Sequence, residues 1–192
     1  MAKLLVYDIT TEKNQPAVLR KTLKQFTQAC MAVAKYADAK SQYDPRTLEA
    51  ALKSDIQTAF QLPTGLIVGV CRRVGHDFTR LNPDVERGTR RRNLPDYEGN
   101  RWILYTDSTA SVRMDAAHPA DNVADYKFTL SLTNVGTRMT GLPFASSKVP
   151  LPVGEGWHNK EMRLYSSDGG KKWALRVAVG VTDEIEDEDD PT

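Results

Sequence analysis

Met162-Arg163-Leu164-Tyr165-Ser166-Ser167-Asp168-Gly169-Gly170-Lys171-Lys172-Trp173-Ala174-Leu175-Arg176-Val177-Ala178-Val179-Gly180-Val181 is the stretch that decides the fold. Met162 and Leu164 alternate with Arg163 and Tyr165, and Trp173, Leu175, Val177, Val179 and Val181 form the longest clean alternation in the chain. A period of two sends successive side chains to opposite faces of a strand. The Ser/Asp/Gly cluster at 166–170 supplies a turn, so the segment reads as a β-hairpin.

Upstream of it the period is again two. Tyr126, Phe128, Leu130 and Leu132 alternate with Lys127, Thr129, Ser131 and Thr133, the pattern of a half-buried strand. Residues 102–105 and 111–114 are further short strand candidates. Pro143, Pro150 and Pro152 confine 142–153 to an edge strand or a loop, because proline cannot donate to a ladder. Residues 3–9 are β-rich enough for one more strand.

Between that first strand and the later ones the period becomes helical. Leu19, Leu23, Phe26, Cys30, Val33 and Ala37 share one face of a first helix. Asp44-Pro45 opens a second as N-cap and first helical position, with Leu48, Leu52, Ile56 and Ala59 or Phe60 on its face. A third starts near Leu62-Pro63-Thr64, carries Ile67, Val70, Cys71, Val74, Phe78 and Leu81, and stops at Asn82-Pro83. The pattern predicts an α+β fold: a small β-barrel or antiparallel sheet with a three-helix bundle inserted after its first strand. The expected organisation is 1–10 and 101–182 as the β part, 11–82 as the helical lobe, 83–100 as an exposed basic loop and 183–192 as a disordered acidic tail.

Charge is unevenly placed. Seven of the eight residues 183–190 are acidic; without them 26 bases face 18 of the 25 acids, a net +8 that could attract a polyanion. No apolar run approaches the roughly 18 residues of a membrane span, and the N-terminal residues lack the apolar stretch of a secretory signal. Cys30 and Cys71 fall within helical patterns and read as buried, reduced thiols, which fits the cytoplasm.

Catalytic and metal-binding patterns are not apparent. His76, His118 and His158 are scattered, with no CxxC or HExxH spacing, so neither a metal nor a cofactor is expected. Cys71 and His76 lie five residues apart on one helix and diverge by about 140°, too far for a nucleophile and its base. Arginine is the informative residue. Residues 72–101 hold Arg72, Arg73, Arg80, Arg87, Arg90, Arg91, Arg92 and Arg101, against five acids and no lysine. Its planar fork suits phosphate. Tyr97 and Trp102 flank the loop as candidate base-stacking rings, and Lys171 and Lys172 could join the patch. The same residues also fit a solvated helix face beside a polar loop.

These segments resemble the N-terminal half of the TnpB family, transposon-encoded RNA-guided nucleases related to type V CRISPR effectors. Leu19-Arg20-Lys21-Thr22-Leu23 with Phe26 and Ala29 looks like that family's first helix. Leu62-Pro63-Thr64 through Arg72-Arg73-Val74 and Phe78 looks like its Leu-Pro-Ser helix. Phe128 to Leu132 and the Gly-Lys-aromatic step of Asp168-Gly169-Gly170-Lys171-Lys172-Trp173 look like its late strands. The resemblance implies a wedge domain and recognition lobe that grip a guide-RNA scaffold and the adjacent DNA. It also implies a RuvC-like nuclease domain after the last strand, in the position held here by the acidic segment. The expectation is therefore a nucleic-acid-binding module without a nuclease site of its own, not an enzyme, located in the prokaryotic cytoplasm or nucleoid. Its expected partners are structured RNA, duplex DNA and a separately encoded nuclease subunit, with no membrane. Gly65 and Gly69 stand where relatives offer amide or basic side chains, which favours backbone gripping over base reading. The alternative is a protein-binding inhibitor or adaptor that uses the acidic segment and binds no nucleic acid.

Overall fold

The computed structural model describes residues 2–9, 15–82, 93–106, 108–121, 123–133, 138–139, 149–150 and 157–181. In chain order the elements are β1 (Ala2–Ile9), α1 (Gln15–Lys40), α2 (Pro45–Phe60), α3 (Thr64–Leu81), β2 (Trp102–Tyr105), β3 (Ala110–His118), β4 (Val123–Ser131), β5 (Arg138–Met139), β6 (Val149–Pro150), β7 (Trp157–Ser167) and β8 (Lys172–Val181). The class is α+β, and the three helices follow the first strand. The acidic segment and the arginines at 87, 90, 91 and 92 lie outside the described residues.

The opening hairpin forms as its alternation requires. β7 and β8 pair antiparallel, with Met162 opposite Val177 and Leu164 opposite Leu175. β8 then takes β1 on its other side, from Ala2 opposite Gly180 to Ile9 opposite Trp173. β2 completes a sheet of order β1-β8-β7-β2. Its inner face carries Tyr7, Ile9, Ile103, Tyr105, Met162, Leu164, Trp173, Leu175 and Val177, all buried. A second antiparallel sheet has the order β3-β4-β5, with β6 also paired to β4. Pro150 thus sits in a two-residue edge strand, as its missing N–H demands. The sheets meet through Tyr7 and Phe128, whose rings pack edge-on with centroids 5.0 Å apart. The Tyr105 hydroxyl donates to the Ser131 carbonyl at 3.0 Å.

Among the described residues the strands do not close into a barrel. β3 pairs with β4 rather than with β2, and the free edge of β2 is covered by α3. Gly69 makes that approach possible: a Cβ there would stand 2.5 Å from the Leu104 carbonyl oxygen. Arg73 Nη1 donates to the Trp102 carbonyl at 3.2 Å, so a side chain satisfies an edge that a neighbouring strand would otherwise take. The glycines of α3 serve packing within the protein.

Local chemistry sets the helix limits. The Asp44 carboxylate accepts from the Thr47 N–H at 2.8 Å, and Pro45 follows it. At the far end of α3 the Asn82 side chain donates to the Asn93 carbonyl at 3.1 Å and accepts from the Asn93 N–H at 2.8 Å. The two sides of segment 83–92 are therefore clamped together. The expectation of an exposed loop through residue 100 needs correction, because Pro95 and Tyr97 are buried. Both cysteines are free and buried. Among the described residues no helix is long and apolar enough to cross a membrane.

Candidate nucleic-acid interface

The arginines singled out in the sequence are not equivalent in space. Arg72, Arg80 and Arg101 are exposed, as are Lys171 and Lys172. Arg73, by contrast, is only 9% exposed. Its guanidinium carbon lies 3.7 Å from the centroid of Trp102 and 5.1 Å from that of Tyr97. Nη1 also donates to Asn100 Oδ1 at 2.9 Å, and Nε stands 3.5 Å from Asp77 Oδ2. Asn100 in turn donates to Thr27 Oγ1 on α1 at 2.9 Å. Arg73 is thus an internal tie between α3, the segment before β2 and α1. Assigning it to a phosphate contact is corrected for that reason.

Tyr97 is corrected likewise. It is 2% exposed, and burial pushes its phenol well above the ordinary range, leaving no ring face for a base. Trp102 is half-buried, and its ring stacks on Tyr165 with centroids 6.0 Å apart and planes 26° from parallel. Arg80 is exposed, near Asp77 at 3.4 Å.

Arg72 and Arg101 line different cavities. One, of about 510 Å³, lies between α2, α3 and the strands β2 and β7; Arg46, Arg72 and His76 share it with Asp44, Glu49 and Glu161. Its charge is mixed. The other, a cleft of about 650 Å³, lies where α1, the segment before β2 and the β7–β8 turn converge. Arg20, Lys24 and Arg101 are its cations, Asp168 its one carboxylate, and Thr27, Gln28, Asn100, Ser166 and Ser167 its neutral polar groups. Arg20, Lys24 and Arg101 are all exposed.

Local conformation builds this cleft. Asp168, Gly169 and Gly170 follow one another with φ of 52°, 63° and 84°, which turns the chain sharply at the end of β7. Gly170 holds a φ of 84°, where a side chain is strained, and a Cβ there would also lie 2.7 Å from Arg20 Cδ, so glycine suits the turn where it meets α1. The Gly170 carbonyl accepts from Arg20 Nη1 and from Trp173 Nε1, each at 3.2 Å. The Ser166 N–H donates to the Arg101 carbonyl at 2.7 Å and fixes the opposite wall.

Sequence reasoning missed Arg20, Lys24 and Gln28 as site residues. Their signal was present: spaced by four on the polar side of α1, they share one face. Nothing local marked that face as the one the distant turn would reach. Comparison with protein-family models finds no match for the chain, and comparison with curated proteins finds none either.

Proposed function

We propose that this chain is a nucleic-acid-binding module that holds structured RNA, and duplex DNA beside it, as the wedge and recognition parts of a TnpB-like RNA-guided system would. The observation that carries this reading is the cleft between α1 and the β7–β8 turn. Arg20, Lys24 and Arg101 converge on it against one carboxylate, with hydroxyl and amide groups between them. Lys171 and Lys172 continue the positive charge along the same turn. Phosphate oxygens take charge-assisted bonds from such cations and neutral bonds from the remaining donors. Under this reading the protein holds nucleic acid and does not cut it, and it works in the cytoplasm, where its two thiols stay reduced.

The test is charge reversal. The triple variant Arg20→Glu, Lys24→Glu, Arg101→Glu changes exposed side chains and leaves the core intact. Binding of the full chain to a folded RNA hairpin, followed by fluorescence anisotropy, should weaken at least tenfold. The slope of log K against log salt should flatten by roughly 2–3 as those phosphate contacts disappear. Unchanged affinity and slope, with an unchanged circular dichroism spectrum, would refute the proposal.

A further inference from the structure

The cavity of about 510 Å³ beside α2 and α3 takes no part in the proposed nucleic-acid interface, and two glycines of α3 set its shape. At Gly75 a Cβ would stand 2.6 Å from the Tyr43 carbonyl oxygen and 2.9 Å from Pro45 Cγ, so α3 lies hard against the start of α2. At Gly69 the same closeness brings it against Leu104 on β2. Six residues of a helix turn through about 600°, which leaves these two contacts about 120° apart around α3. Val68, Arg72 and His76, spaced by four, fall in the arc between them. α3 can approach neither wall more closely, so the groove floored by these three side chains is preformed.

Charges of both signs line this groove without meeting. Among the described residues neither Arg46, Arg72 nor His76 forms an ion pair with a carboxylate. Asp44 is engaged by Thr47, and Glu161 by Arg163. That leaves Glu49, half-buried on α2, without a partner of its own among those residues. After burial, the Glu49 charge is what pushes the Cys71 thiol up, which places the carboxylate toward α3. An exposed pair of opposite charges on facing helices ordinarily closes to contact; here the two signs stand apart across an open space.

Such a groove disfavours a ligand of single sign. A phosphate drawn to Arg72 meets the Glu49 charge, and a polyamine drawn to Glu49 meets two guanidinium groups. We infer that the groove binds a small zwitterion of the amino-acid class, its carboxylate on Arg72, its ammonium on Glu49 and its carbon skeleton over Val68 and Leu104. The guanidinium fork matches a carboxylate, and an ionised glutamate offers only acceptors, as an ammonium requires. The volume lies within the roughly 300–1,000 Å³ of small-molecule sites, which join apolar walls to a few placed polar groups. The groove and the cleft share no lining residue, so binding here is independent of the nucleic-acid reading.

The experiment screens the full chain by thermal shift against the free α-amino acids, one at a time. At least one should raise the melting temperature in a concentration-dependent way, as a ligand held only by the folded state must. Isothermal titration with that amino acid should show Arg72→Gln and Glu49→Gln each weakening it about tenfold or more, since each removes one charge-assisted contact. The matching amine, which lacks the carboxylate, and the matching carboxylic acid, which lacks the ammonium, should lose about the same factor on the parent protein. These two analogues decide the matter should either variant fail to fold. No shift from any amino acid overturns the inference, and so does amino-acid binding that both variants retain. An acid or amine analogue that binds as tightly as the amino acid makes the groove a site for one sign of charge and overturns it too.

Discussion

Arg72 and Arg73 are adjacent in sequence and opposite in role. Arg73 is buried with its Nη1 committed to Asn100 and the Trp102 carbonyl, while Arg72 is exposed at the rim of a cavity. Removing Arg73 empties the space against Trp102 and Tyr97 and takes one donor each from Asn100 Oδ1 and the Trp102 carbonyl, while Asp77 keeps Arg80. Arg73→Ala should therefore cost about 3 kcal/mol, and Arg72→Ala should stay within about 0.5 kcal/mol. Urea denaturation of the two variants checks this, and equal losses would contradict the assignment. The cysteines give a second residue-scale expectation. Burial pushes the Cys71 thiol up to about 12 and the Cys30 thiol further still, so neither is a thiolate near neutral pH. A disulfide-exchange reagent at pH 8 should leave both unlabelled in the native protein and label both in urea. Rapid native labelling of either would show an accessible thiol.

Among the elements, α3 bears most on the architecture, since it takes the place a neighbouring strand would have beside β2. Gly69→Ala tests that placement. Alanine favours a helix over glycine by about 1 kcal/mol, yet the added Cβ meets a carbonyl oxygen, and overpacking of this kind costs roughly 1–3 kcal/mol. Net destabilisation in thermal melts is expected, and a stabilised variant would mean that α3 does not lie against β2. At the start of α2, hydrogen bonds from the Thr47 hydroxyl and N–H hold the Asp44 carboxyl below its usual 3.8. A depressed folded-state value means that the cap's contribution is present above the ordinary carboxylate range and is lost as pH falls through the lower folded value. Asp44→Asn should thus lower the melting temperature less at pH 3 than at pH 7. Helix limits such as Asp44-Pro45 and Asn82-Pro83 were legible because caps and prolines act locally. The role of Arg73 was not, because α3 is wedged between α1, α2 and β2 and buries residues around most of its circumference. A single apolar stripe could not reveal that. The expectation of a barrel or an antiparallel sheet was met by the sheet, and the sequence could not choose between them for a related reason: alternation marks strands but does not say which edges pair.

At the scale of the molecule, the distribution of charge governs behaviour. A variant lacking residues 183–192 sheds seven acids and moves the formal net charge from +1 to +8. Under the proposed reading it should bind RNA more tightly at low salt and converge with the full chain at high salt, as long-range attraction is screened. Weaker RNA binding by the truncated variant would point to a direct role for the acidic segment. The candidate cleft itself was only partly legible. Arg101 and the lysines of the turn were visible as charged residues, but their meeting with Arg20 depends on the whole sheet folding the turn back onto α1.

That dependence also sets an order in time. β1 is synthesised before the helices, yet its ladder partner β8 is the last described strand. At a few to twenty residues per second, β1 waits on the order of ten seconds or more with its backbone unpaired, while the helices, which need only local contacts, can already form. A ribosome stalled shortly before Lys172 would therefore display a protease-resistant helical lobe joined to a protease-sensitive first strand. The cleft would come into being only once the β7–β8 turn and β8 have been made and have folded back onto α1, so its two walls meet late in folding although α1 forms early.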